Sequence, residues 1–317
     1  MQVRLSTYPG ELQLSPPPPP PLPPSLFFAM DFHHPVRTKD QDPSTQAYAE
    51  LNKKAEARAK SCRSASMPSL DHLHMKDYQN VYEPSDDTYL LIDAIGMDMD
   101  VMDKLVDSKD GEDAVIKRSH INTTLEIGCG TGVPSIYLAM RLREGGQLMA
   151  GEDLPSTNNV CHHVTDINPE AIRIATVTAE VNKIPQQEFI SHQCDLATNL
   201  LEEYENKIDI FIFNPPYVPT PDDEVGSNGI EASWAGGING RVVLDRAIPQ
   251  IARLLSFPHG VGYVVAVDDN YPEEIAKVMM NRYGIQVVPW LRRRARNEFL
   301  TILRLTPTRK YEPASID

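Results

Sequence analysis

The chain reads as an α/β protein with a mainly parallel, doubly wound sheet, helices on both faces and an antiparallel hairpin closing one side. Three observations predict this. From residue 121 onward, apolar strand-like runs alternate with helix-like segments, the pattern of a parallel sheet covered on both faces. The first strand runs straight into the glycine-rich turn Gly128-Cys129-Gly130-Thr131-Gly132 and then the helical stretch Val133–Met140, a strand–turn–helix unit suited to ligand binding. The last two strand-like runs, Gln286–Trp290 and Glu298–Leu305, are joined by a short basic segment and read as the hairpin.

Each element carries a feature at its strand tip. Glycines at 128, 130 and 132 permit a tight turn and close approach of backbone to a ligand. Their spacing is G-x-G-x-G, not the G-x-G-x-x-G of dinucleotide binding. Glu126, just before the turn, suits a cationic or zwitterionic ligand such as S-adenosylmethionine, with its sulfonium and ammonium, and not a pyrophosphate. The next strand, Val160–Thr165, ends in Asp166, where an acid can grip both hydroxyls of a ribose, and Asn168 with Pro169 reads as a helix start. That acid usually follows the turn by about 20 residues. Here the gap is longer, and the surplus is read as a polar inserted loop over 143–159. A strand over Glu188–Gln193 ends in Cys194-Asp195-Leu196, where Asp195 can accept from an adenine amino group and the Leu196 amide can serve a ring nitrogen. Each acid alone is more commonly a turn or cap residue. Their order along the chain is what argues for a site. The later elements read as a helix over Arg241–Leu255, a strand over Gly262–Val267 and a helix over Pro272–Tyr283.

The apolar run Ile208–Ile212 leads into Phe213-Asn214-Pro215-Pro216-Tyr217-Val218. A proline pair more often simply stops a strand. Behind a buried strand, however, Asn-Pro-Pro-Tyr has the groups needed to methylate a planar nitrogen with a delocalised lone pair. The Asn214 side-chain oxygen and a backbone carbonyl, that of Pro215, can hold the two N–H groups. The prolines fix the loop's φ angles in advance, and Tyr217 offers an aromatic wall. No titrating base is evident beside the motif, so in-line transfer would rest on positioning and desolvation, with the proton lost to water. Asn214→Ala is expected to spare cofactor binding and abolish turnover.

Together these residues resemble the eukaryotic and archaeal branch of the HemK-type glutamine methyltransferases, which modify a translation termination factor. The resemblance rests on Val81-Tyr82-Glu83-Pro84-Ser85-Asp86-Asp87-Thr88-Tyr89-Leu90-Leu91, on the glycine turn with Asp166 and Asp195, and on Asn214–Tyr217 continuing through 229–237 to Gly240-Arg241. It covers roughly residues 78–306. It implies a class I S-adenosylmethionine-dependent methyltransferase (Rossmann-like) fold with seven strands. It also implies a protein-(glutamine-N5) methyltransferase acting on the Gly-Gly-Gln glutamine of a class 1 termination factor, alone or bound to its GTPase partner, with a small zinc-binding activator subunit as heterodimer partner. By the same resemblance Thr88 touches the methionine carboxylate end of the cofactor. Glu126 and Gly128 line its amino-acid part, Gly130 also binds the cofactor, Asp166 holds the ribose, and Asp195 and Leu196 recognise adenine. Asn214, Pro215, Pro216 and Tyr217 take the substrate amide, and Glu231–Gly237 shapes the entrance. Two polar stretches, 98–120 and 143–159, are longer than the family requires.

Composition leaves room for one large domain and restricts the alternatives. No apolar run is long enough for a membrane span, and no positive cluster precedes an apolar core as in a secretory signal. Four cysteines without a C-x-x-C pair suggest neither disulfides nor zinc, which fits a reducing, cytoplasmic or nuclear setting. The paired histidines at 33/34, 72/74 and 162/163 are expected at the surface, with no metal. Residues 1–77, which include a polyproline run, are expected to be a disordered extension. That run could be an SH3, WW or profilin ligand. The simpler reading is a solvated tail or an extension upstream of the true start, with Met30, Met67 or Met75 as alternatives. Residues 307–317 are expected to be a tail. The formal net charge is −14, and the one basic run, Arg292-Arg293-Arg294-Ala295-Arg296, is expected to be a solvated turn or a protein contact. Without a basic stripe for phosphates, a DNA or RNA adenine methylase is the weaker alternative. Lysine methylation and a catalytically idle regulatory subunit are the others.

Overall fold

The computed structural model describes residues 43–62, 66–104, 116–149, 160–221, 224–226, 230–296 and 298–312. Seven strands form one sheet in the order β3-β2-β1-β4-β5-β7-β6. β1 (Thr123–Ile127), β2 (Cys161–Asp166), β3 (Phe189–Gln193), β4 (Ile210–Phe213) and β5 (Val261–Val267) are mutually parallel. β6 (Ile285–Ala295) and β7 (Glu298–Pro307) form an antiparallel hairpin, and β7 inserts between β5 and β6. This is the expected class I methyltransferase sheet.

Strand periodicity builds two cores. Ile210 and Ile212 of β4 and Tyr263, Val265 and Val267 of β5 face a cluster with Leu90, Leu91 and Ile95 of α2 (Asp86–Lys104) and Tyr137 and Leu138 of α3 (Val133–Met149). The alternate residues Phe211, Phe213, Val264 and Ala266 face a second cluster with Leu244, Ile248 and Ile251 of α5 (Val242–Leu254) and Ile275 of α6 (Pro272–Val278). Because side chains alternate with period two, strands buried on both faces must be apolar throughout, and these are. A third cluster seats α4 (Pro169–Val181) on β2 and β3 through Ala175, Ala179, Val164 and Phe189.

Several expectations are corrected. Residues 43–61 form a helix, α1 (Pro43–Ser61), where disorder was expected. Low hydrophobicity hid it because its contacts are polar and aromatic. Arg58 Nη1 donates to the carbonyls of Trp290 (3.0 Å) and Pro289 (3.4 Å) on edge strand β6. Its guanidinium lies 4.3 Å from the Trp290 ring centroid, with Arg304 at 3.5 Å from the same ring. Ala55 and Ala59 are buried. The helix thus covers an exposed sheet edge next to a bulge between Pro289 and Leu291. Residues 66–77 are also ordered. Ser69 exchanges hydrogen bonds with Asn182, and Leu70 packs against the first core. Residues 1–42, including the polyproline run, lie outside the described residues.

The polar stretch 98–120 is in part the end of α2: Met99 and Met102 are buried, and Tyr263 donates to Asp98 at 2.6 Å. Residues 143–149 continue α3, while 105–115 and 150–159 lie outside the described residues. At the C-terminus β7 runs to Pro307, and Tyr311 still packs against the core. The basic run is not a solvated turn. β6 extends through it, and Arg292, only 7% exposed, pairs bidentately with Asp268 and with Glu56 of α1. Arg293 pairs with Asp93 at 2.8 Å, whereas Arg294 and Arg296 are exposed. Nor are His162 and His163 at the surface, since β2 lies inside the sheet. His162 bonds Thr124 Oγ1 at 2.8 Å and His163 bonds His192 at 3.0 Å. Burial pushes their pKa values down to about 3 and about 4. His33 and His34 lie outside the described residues. No helix among these residues is long and apolar enough to cross a membrane, and no cluster of potential metal ligands occurs among them.

Candidate active site

The carboxyl ends of β1 to β4 open into a cavity of about 670 Å³. Thr88, Glu126, Gly128, Gly130, Asp166, Asp195, Leu196, Asn214 and Pro216 line it, so nine of the eleven residues singled out in the sequence converge there. Pro215 is buried behind the wall. Tyr217 also lies outside the wall, half-buried against the first core.

The glycine turn is built as its spacing requires: Gly128, Gly130 and Gly132 have φ of 64°, 51° and 77°. That left-handed region strains any residue with a Cβ. Gly132 has a second reason, because a Cβ there would meet Ala175 Cβ at 3.0 Å and push α4 away. Glu126 is 2% exposed and accepts from the Ser135 amide at 3.0 Å, at the start of α3. One backbone donor does not compensate a buried carboxylate, and desolvation raises its pKa to about 8. A cation in the cavity is the partner such a group lacks.

Asp166 accepts from the Gly130 amide at 3.0 Å with one oxygen and from the Asn168 amide at 2.9 Å with the other. It thereby fixes both the glycine turn and the start of α4, where Asn168 caps Glu170. Burial raises its pKa against those hydrogen bonds. Each oxygen keeps a second lone pair for a ligand hydroxyl. Asp195, half-exposed, is ion-paired with Arg246 of α5, a residue the sequence reading did not single out. Leu196 is held at φ 53°, which turns the chain sharply after β3.

The Asn214 loop is braced from three sides. Val218 donates to the Trp234 carbonyl at 3.1 Å and accepts from the Gly236 amide at 2.9 Å. Cβ atoms at Gly236 or Gly240 would run into the carbonyls of Pro216 and Tyr217, which explains these two glycines as packing against this loop. Asn270, fully buried, donates to the carbonyls of Tyr217 (2.8 Å) and Asn239 (2.9 Å) and accepts from the Val267 amide (2.8 Å). Asn214 itself donates through Nδ2 to Asp87 Oδ2 at 3.1 Å, and the Tyr217 hydroxyl donates to the same oxygen at 3.2 Å. The Asn214 Oδ1 is buried without a protein partner.

Asp87, Arg246 and Asn270 are the residues that sequence reasoning missed. Asp87 lay within the recognised V-Y-E-P segment, but an acid in a helix's first turn has an ordinary explanation there. Nothing local marks Arg246 or Asn270. The residues present fit S-adenosylmethionine: a buried carboxylate without a cation at Glu126, and an acid with free lone pairs at the second strand tip.

No family model matches the chain. It is 40% identical over 243 residues to a protein of Mus musculus named methyltransferase HEMK2, covering 77% of this chain and 97% of that protein. It is 32% identical over 246 residues to the eRF1 methyltransferase catalytic subunit mtq2 of Schizosaccharomyces pombe, covering 76% of this chain and 95% of that one. Among solved structures, Mtq2 in the E. cuniculi Mtq2–Trm112 complex is similar at 22% identity and a TM-score of 0.44, over 72% of this chain and 99% of that one. At 40% identity over nearly the whole of the mouse protein, the chain belongs to the HemK family of methyltransferases, in the branch of HEMK2 and Mtq2.

Proposed function

We propose that this enzyme transfers a methyl group from S-adenosylmethionine to the side-chain amide nitrogen of the Gly-Gly-Gln glutamine in a class 1 translation termination factor. The observation that carries the reading is the buried, unpartnered Oδ1 of Asn214 at the wall of a cavity that also holds Glu126. The names of the fission-yeast relative, an eRF1 methyltransferase catalytic subunit, and of an archaeal relative, a putative protein N5-glutamine methyltransferase, support the substrate.

When bound, the cofactor supplies an electrophilic methyl group. Glu126 presents its carboxylate to the cationic end, and Thr88 meets the carboxylate end from the first turn of α2. Asp166 takes the ribose hydroxyls, and Asp195 with the Leu196 amide takes the adenine edge. Asn214 Oδ1 and the Pro215 carbonyl hold the two N–H groups of the substrate amide, which leaves the nitrogen's face free. Pro216 lines the cavity beside that plane, and Tyr217, outside the wall, braces the loop through its hydroxyl. Holding both reactants in place can account for about 7–11 kcal/mol of the barrier, so no general base is required. A small zinc-binding activator fits the designation "catalytic subunit" in the relative's name, and a cytoplasmic location fits a termination-factor substrate.

The test is methyl transfer from labelled S-adenosylmethionine with the activator co-expressed. The wild-type factor, its Gly-Gly-Gln glutamine mutant and duplex DNA are offered in parallel. Label on the wild-type factor alone is the expected result. Label on DNA alone, or equal label on the glutamine mutant, overturns the reading.

A further inference from the structure

Asp87 lies in the first turn of α2, yet it is only 3% exposed and is not a solvated helix-start acid. Its two oxygens serve different parts of the site. Oδ1 accepts from the Thr88 amide at 2.7 Å, from Ser85 Oγ at 3.0 Å and from Thr88 Oγ1 at 3.3 Å. Oδ2 accepts from Asn214 Nδ2 at 3.1 Å and from the Tyr217 hydroxyl at 3.2 Å. A side-chain amide can sit in a pocket either way round, but an ionised carboxylate only accepts hydrogen bonds. The NH2 end of Asn214 must therefore face Asp87. The flipped amide would set oxygen against oxygen. Its carbonyl is thereby turned away from Asp87, and its orphan Oδ1 follows from the contact.

We propose that Asp87 is a positioning residue that fixes the amide of Asn214 and registers the start of α2 against the catalytic loop. The inference rests on reading Asn214 as the partner of the substrate amide. In primary structure the two sides are 127 residues apart, so one carboxylate couples the segment carrying Thr88 to the segment carrying Asn214. Tyr217 gains a second role: its hydroxyl donates to the same oxygen, and burial beside Asp87 raises its pKa far above the ordinary phenol value. It stays a donor at every working pH.

The test uses Asp87→Asn, Tyr217→Phe and the double variant of the full chain with its activator. Asp87→Asn keeps the shape but turns an N–H toward one of its two sets of donors. Turnover is expected to fall about 30- to 100-fold from a misplaced acceptor, with cofactor Kd by calorimetry changed by less than about fivefold. Because Tyr217 acts through the same oxygen, the double variant should be no slower than Asp87→Asn. A direct readout is side-chain amide exchange of Asn214 by 15N NMR, assigned by its loss in Asn214→Asp: protected in wild type, unprotected in Asp87→Asn. Wild-type turnover, fully additive losses in the double variant, or unchanged amide exchange each overturn the proposal. If Asp87→Asn does not fold, faster Asn214 amide exchange in Tyr217→Phe supports the proposal and unchanged exchange overturns it. If the wild-type enzyme methylates no termination factor, the functional reading fails, while the exchange measurement still decides the role of Asp87.

Discussion

Replacing Asn270 with alanine tests whether the catalytic loop is held by one side chain. Asn270 is fully buried and joins Tyr217, Asn239 and Val267 through hydrogen bonds of 2.8, 2.9 and 2.8 Å. Alanine removes all three hydrogen bonds. At about 1 kcal/mol for each, the fold is destabilised by about 3 kcal/mol. For a domain of this size that corresponds to a Tm lower by about 6–12 °C. Turnover at a temperature where the variant is folded should fall at least about tenfold, because a displacement near 1 Å at Asn214 is costly. Asn270→Asp separates packing from hydrogen bonding. It can still accept from Val267, but it sets a carboxylate against the Tyr217 and Asn239 carbonyls, and it should be no better than alanine. Urea unfolding, thermal melts and single-turnover methyl transfer measure these effects. A loss below about 1 kcal/mol for alanine, or an aspartate variant as stable and active as wild type, would refute the reasoning.

Glu126→Gln should change the pH dependence of the cofactor-free protein. The Glu126 pKa is raised from 4.5 to about 8 in the fold, so its contribution to stability is complete below about pH 4.5 and is lost as pH rises through 8. The glutamine variant should therefore be more stable than wild type at pH 8, by about 2–4 kcal/mol in urea unfolding, and should bind cofactor more weakly. An unchanged slope between pH 5 and 8 would contradict the burial argument. Arg246→Ala frees the half-exposed Asp195 carboxylate from a pair worth about 0.2–1 kcal/mol, so cofactor Kd should rise about threefold with turnover at saturation unchanged. A turnover defect without a Kd change would place Arg246 elsewhere in the mechanism. Arg58→Ala removes two contacts to edge carbonyls and a cation–π contact, and should cost about 1–2 kcal/mol in urea unfolding with activity retained. Stability equal to wild type would mean that the Arg58 contacts contribute nothing to the fold.

The sheet and most of the cofactor side of the cavity were legible in the sequence because their signals are local. Strand, turn and helix follow one another within a few residues, so period-two runs, the glycine turn and acids at strand tips mark their own positions: Glu126, Asp166, Asp195 and Asn214 all line one cavity. What the tertiary structure alone decided depends on partners distant in sequence. Asp87 reaches Asn214 across 127 residues, Asn270 reaches Tyr217 across 53 and Arg292 reaches Glu56 of α1 across 236. An acid, an amide or an arginine in a polar segment looks the same whether it is solvated or buried against a partner. The same holds for α1, whose polar composition reads as disorder until Trp290 and the carbonyls of the β6 edge are there to receive Arg58. A sequence specifies where a chain turns and which faces are apolar. Which buried polar group answers which other is settled only when the sheet brings them together, because an unpaired one there is too costly to leave.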